Sequence, residues 1–132
     1  MRVLIFAVSA LSLVACVKQR NLSTDEIPKL TKLDDVMDVQ STIADPQFKK
    51  IGQATYSDAD WAAFADTSAR ISATSLKIKD FSKGAGFDAL AVQLSEKAKA
   101  LGDAATAKDA AAASKALAEM KATCKSCHKQ FK

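Results

Sequence analysis

The sequence predicts an all-α protein, built as an antiparallel four-helix bundle. Apolar residues recur at spacings of three, four or seven in four separate segments, as they do in helices that bury one face. Capping and helix-breaking residues part those segments at Asp45-Pro46, Ser57, Gly84 with Gly86, and Asp109. Nothing in the chain reads as a series of β-strands, and connections of about 5 to 15 residues between helices imply antiparallel neighbours.

The first helix is expected to start at Ile27 and run for about 18 residues, with Ile27, Leu30, Leu33, Met37 and Ala44 on its stripe. It should stop near Asp45-Pro46, because a proline pushes the residue before it out of the helical region. Phe48 and Ile51 then form an apolar pair in the connection. Ser57 places a hydroxyl N-cap three residues ahead of the acidic Asp60. It opens a second helix whose stripe is Trp61, Phe64, Ala65, Ser68, Ile71, Ser75 and Ile78. Beyond Gly84 and Gly86, a third helix carries Phe87, Leu90, Leu94, Ala98 and Leu101. Asp109 can cap the fourth, whose broad face holds Ala113, Leu117, Met120, Cys124, Cys127, His128 and Phe131. Its alanine-rich start favours helix and lets neighbouring helices approach closely.

The N-terminus reads as a targeting segment rather than as part of this bundle. Residues 1–15 carry Arg2 and then an apolar run from Val3 to Ala15, a signal sequence too short to span a bilayer. The run ends in Leu13-Val14-Ala15-Cys16, which resembles the lipobox of bacterial lipoproteins, where the cysteine is lipidated after cleavage. The alternative is ordinary secretion, with cleavage just after Ala15. Residues 16–26, the lipidated cysteine and a polar tether, would then lead into one domain over residues 27–132. Several acyl chains make anchoring stable, so the protein is expected to sit on a membrane and face the periplasm. Val17 after the cysteine hints at the outer membrane, by the sorting rule known for enteric bacteria.

With the signal removed about 117 residues remain, enough for one core. The whole chain has 19 basic against 15 acidic side chains, a balance of +4 that is too mild to argue for nucleic acid.

Near the C-terminus, Cys124-Lys125-Ser126-Cys127-His128 reads as C-x-x-C-H, the sequence at which c-type haem is covalently attached. On a helix these positions fall at i, i+3 and i+4, so two sulfurs and an imidazole share one face. Cys124 and Cys127 would form thioethers with the haem vinyl groups, and His128, the only histidine of the chain, would ligate iron from the proximal side. A zinc site needs four ligands, usually from two clusters, and here there is one cluster plus Cys16. A redox C-x-x-C belongs at the start of a helix, whereas almost no chain follows this one. A disulfide between Cys124 and Cys127 would leave His128 unexplained.

Four helices with C-x-x-C-H at the far end of the last resemble the cytochrome c′ and cytochrome c-556 family, over roughly residues 27 to 132. The motif region continues to Phe131 and Lys132, where the family more often has tyrosine and arginine. The resemblance implies an all-α bundle with one covalent haem c on its last helix, Phe131 and Lys132 beside the haem, and the first helix on its distal side. In c-556-like members a first-helix methionine supplies the sixth ligand, which here would be Met37; in c′-like members an apolar residue closes that position. Leu33 and Leu30, one and two turns earlier, would cover the distal pocket, and Leu33 is the gate if Met37 turns away. Homodimers through the first two helices are also common in the family.

The expected function is single-electron transfer between periplasmic or membrane redox partners by a saturated Met37–Fe–His128 site. The alternative is a five-coordinate protein that binds or senses nitric oxide or carbon monoxide. Enzymatic turnover is not expected, since no second histidine is present to act as a distal acid–base group. Met120, eight residues before His128 on the same helix, is read as core. Lys121, Lys125 and Lys129, with Lys132 beyond, form a ladder that could attract an acidic redox partner. The same ladder also reads as a solvated face whose cations complement the helix C-terminus.

Overall fold

The computed structural model describes residues 21–132. The signal sequence, Cys16 and the start of the tether lie outside the described residues. Four helices form the bundle: α1 (Leu33–Phe48), α2 (Asp58–Ile78), α3 (Ala85–Ala107) and α4 (Ala110–Phe131). Among the described residues there is no strand.

The chain enters through a 3-10 turn, Ile27–Lys29, with Pro28 inside it, and then runs extended through Leu30 and Lys32. Helix α1 therefore begins six residues later than the periodicity predicts. The turn packs against α2 and buries Ile27 and Leu30 there, which a continuous helix would carry elsewhere. Residues 21–26 are not a free tether either. Arg70 of α2 donates to the Asn21 side chain and to the Leu22 carbonyl, and Glu26 accepts from the Ser23 amide at 2.9 Å.

At its other end α1 continues through Pro46 to Phe48. The missing proline N–H forfeits one hydrogen bond in the last turn, where few are left to lose. The extra half turn puts Phe48 on the helix rather than in the connection. Helix α2 opens with a complete capping box. Ser57 Oγ accepts from the Asp60 amide at 3.2 Å, and the Asp60 carboxylate accepts from the Ser57 amide at 2.9 Å. Lys50 reaches the same carboxylate at 2.6 Å. Asp109 caps α4, accepting from the Ala112 amide at 2.9 Å. The turn before it is only two residues long and places Lys108 in the left-handed region, φ 51°.

The core is filled by Val36 and Val39 from α1, Phe64 and Ile71 from α2, Leu101 from α3, and Leu117 and Met120 from α4, all fully buried. Each such burial stabilises the fold by roughly 1.5–3 kcal/mol before ordering costs. Ala65, expected on the α2 stripe, is exposed; Thr67 and Thr74 are buried instead. Thr74 satisfies its hydroxyl by donating to the Ile71 carbonyl at 3.0 Å, as Ser75 does at 2.7 Å, so α2 can bury polar residues. Tyr56, Trp61 and Phe64 meet edge to face, with centroids 4.9–5.7 Å apart, at the end of the bundle remote from the α4 cysteines. Helices α2 and α3 pack closely, α3 against α4 and α1 against α2 less so, and α1 meets α4 only sparsely. An open seam is left between the first helix and the last.

Candidate functional site

The seam widens into a cavity of about 400 Å³, within the size range of small-molecule sites. One wall is α4. Its helical spacing brings Cys124, Cys127 and His128 to the cavity together, with Phe131 and Lys132 a turn further on. The facing wall is α1, which contributes Leu33, Met37, Gln40 and Phe48, among others. Ile71 and Ile78 of α2 and Phe87, Leu90 and Leu94 of α3 complete an apolar interior.

Met37, Cys124, Cys127, His128, Phe131 and Lys132 thus line one cavity. Leu33 does so, whereas Leu30 is buried outside the lining, because it precedes the helix and so cannot share its face. Met120 is fully buried, as expected of core, and also borders the cavity. Among the aromatic residues, Phe87 belongs to the site. Trp61 and Phe64 belong to the remote cluster, and Phe81 lies outside the lining beside Lys77. Cys16 lies outside the described residues.

Cys124 and Cys127 are partly buried free thiols. Burial pushes the Cys124 thiol up to about 11, with the neighbouring Cys127 and Asp45 adding to the effect. Burial also raises Cys127, against an opposing pull from Lys83. Both thiols are therefore protonated near neutral pH. Phe131 is fixed by an edge-to-face contact with Phe87, centroids 5.3 Å apart. Lys83, in the loop before α3, donates to the Phe131 carbonyl at 2.8 Å and so ties down the end of α4. Periodicity gave no sign of Lys83, a loop residue 48 positions from its partner, nor of Gln40, a polar residue on an apolar wall.

These residues suit a flat, apolar group with a charged edge. Two thiols and an imidazole project from one wall, the interior is apolar, and the Lys83 and Lys132 ammonium groups stand among the lining residues. Cys124, Cys127 and His128 could hold haem at this wall, with Lys132 near the rim.

Fold and cavity together define a class, the small helical proteins that carry a haem of the c type. The family model described as cytochrome c′ matches residues 29–132, and the chain belongs to that family. Its members hold a covalently bound haem c, and they are typically periplasmic. A cytochrome c′ from Pararhodospirillum photometricum is 46% identical over 71 residues, which is 54% of this chain and 57% of that relative. The chain therefore matches little more than half the length of this curated relative. No solved structure matches the chain. Among the described residues no helix is long and apolar enough to cross a membrane.

Proposed function

We propose that the protein is a monohaem c-type cytochrome that passes single electrons between redox partners. The observation that carries this reading is that Met37 and His128 line one cavity from facing helices, α1 and α4. When bound, haem supplies a one-electron ferric–ferrous couple. Cys124 and Cys127 would hold the macrocycle through thioethers, with His128 and Met37 available as ligands to its iron. Leu33, Phe87 and Phe131 would exclude water, and Lys83 and Lys132 would balance the propionate charge. A methionine sulfur raises the reduction potential relative to harder ligands, which suits a carrier.

Leu33 supports a second reading. It shares the α1 wall with Met37, one turn earlier, and would close the distal face if Met37 turned away. The protein would then bind or sense nitric oxide or carbon monoxide. Visible spectra of the haem-loaded protein, oxidised and reduced, with and without carbon monoxide, separate the two. Sharp low-spin bands indifferent to carbon monoxide support the carrier. Broad high-spin bands that shift with it support gas binding, and an unchanged spectrum in Met37→Ala would remove the methionine ligand.

Lys125 and Lys129 are exposed on α4 beside the cavity, and Lys121 lies 5.9 Å from the Phe48 ring centroid. This basic strip fits an acidic redox protein, and the protein is read as a carrier rather than an enzyme, with no role on nucleic acid. Lipidation of Cys16 would hold it at the periplasmic face of a membrane. Detergent-phase partition of the full chain that is lost in Cys16→Ser supports the anchor, whereas aqueous-phase partition of the full chain itself would overturn it and leave the soluble periplasmic form. A homodimer through α1 and α2 is testable by sedimentation.

A further inference from the structure

Gln40 is a polar residue of the cavity wall to which electron transfer gives no obvious use. It is 8% exposed, and it follows Met37 by three residues on the same face of α1. Its Nε2 donates to Thr74 Oγ1 at 3.0 Å. The Thr74 hydroxyl in turn donates to the Ile71 carbonyl at 3.0 Å. A hydroxyl has one proton, so with that proton committed to Ile71, Thr74 can only accept from Gln40. The amide is therefore held nitrogen-first toward α2. Its carbonyl oxygen is the other end, in a side chain that lines an apolar cavity.

We propose that Gln40 tunes the redox potential of the group in this cavity, with Thr74 as the positioning residue that orients it. The inference rests on the reading that haem occupies the site. In the couple one electron from an external donor converts ferric to ferrous iron, and no proton is taken up. The oxidised state carries one more positive charge. With Nε2 committed to Thr74 on α2, the carbonyl is the end of the amide left for the cavity, and a carbonyl dipole so directed stabilises that state more than the reduced one. Gln40 thus holds the potential down, against the upward push of a methionine ligand. Asp34, Asp38 and Asp45 also border the cavity from the exposed side of α1, and Asp45 acts on Cys124, but their charges are the same in wild type and in every Gln40 or Thr74 variant and so leave the difference between them untouched.

The test is a spectroelectrochemical titration of the haem-loaded wild type beside Gln40→Leu, Thr74→Val and Thr74→Ser. The midpoint potential should rise in Gln40→Leu with the visible bands unchanged, rise less in Thr74→Val, and stay at the wild-type value in Thr74→Ser. An unchanged or lower potential in Gln40→Leu overturns the proposal, as does a shift accompanied by altered ligand bands. Should Gln40→Leu fail to fold, Thr74→Val decides: a wild-type potential there overturns it. A wild type without haem c absorption would instead remove the functional reading itself, and this inference with it. Urea unfolding of the haem-free variants gives a second readout, in which matching midpoints for wild type and Gln40→Leu exclude a general loosening of the bundle.

Discussion

Replacing Gly102 by alanine tests how closely α2 and α3 approach. An alanine Cβ there would stand 2.6 Å from Ser68 Oγ and 3.1 Å from Ser68 Cβ. The hydroxyl can rotate away, but the Cβ cannot move without shifting α2. Alanine gains about 0.8–1.0 kcal/mol of helix propensity over glycine, while forcing a methyl into a packed interface costs about 1–3 kcal/mol. The net expectation is a loss of about 1 kcal/mol, which for a domain of about 100 residues lowers the melting temperature by roughly 4–8 °C. Gly86, also in α3, supplies the control. There the Cβ would meet Phe131 Cζ at 3.5 Å, an ordinary contact, so Gly86→Ala should be neutral or stabilising. Thermal unfolding followed by circular dichroism reads both, and adding Ser68→Gly should recover most of the loss in Gly102→Ala by removing the clash. If Gly102→Ala melts as high as Gly86→Ala, the close approach of the two helices is wrong.

Three further outcomes follow from the site and its supports. The Cys124 thiol is raised to about 11 in the folded chain against an ordinary 9.0, so the unfolded state loses its proton first as pH rises. The haem-free protein should therefore lose stability between pH 9 and 11, and Cys124→Ala should flatten that alkaline limb in urea unfolding. Asp60 moves the other way, down to about 2 from 3.8, held chiefly by hydrogen bonds from Lys50 and Ser57. Its contribution is present above pH 3.8 and is lost as pH falls toward 2, so Asp60→Asn should remove part of the acid transition seen by circular dichroism. Phe131→Ala discards a partly buried ring and its edge contact with Phe87. It should cost about 2 kcal/mol in urea unfolding, since full burial of such a ring is worth about 3–5 kcal/mol; a wild-type midpoint would show that the ring does not pack there.

Much of this was legible because helices advertise themselves by period. The caps Ser57 and Asp109 and the cluster Cys124, Cys127 and His128 all depend on contacts within one turn, and local spacing encodes those directly. Met37 and Leu33 could be placed opposite α4 only through the family resemblance, since periodicity gives a helix its face but not its neighbour. The start of α1 was misread because Ile27 and Leu30 fit a helical spacing while serving a buried turn against α2. Pro46 was misread as a stop because a proline in a final turn forfeits too little to end the helix. Thr67, Thr74 and Gln40 are invisible to an apolar pattern: the burial of Thr74 and Gln40 rests on hydrogen bonds within α2 and between α1 and α2. Lys83 depends on a carbonyl 48 residues away, and no local signal reports that.

The sparse contact between α1 and α4 joins the two helices farthest apart in the chain. Successive helices pair across short connections, whereas pairing α1 with α4 closes a loop of roughly 60 residues at a higher entropic cost. A flat group bound in the seam would touch both helices at once and so supply contacts that α1 and α4 lack for each other. Such a group would stand in for a missing helix–helix interface, and the bundle would be complete only when filled.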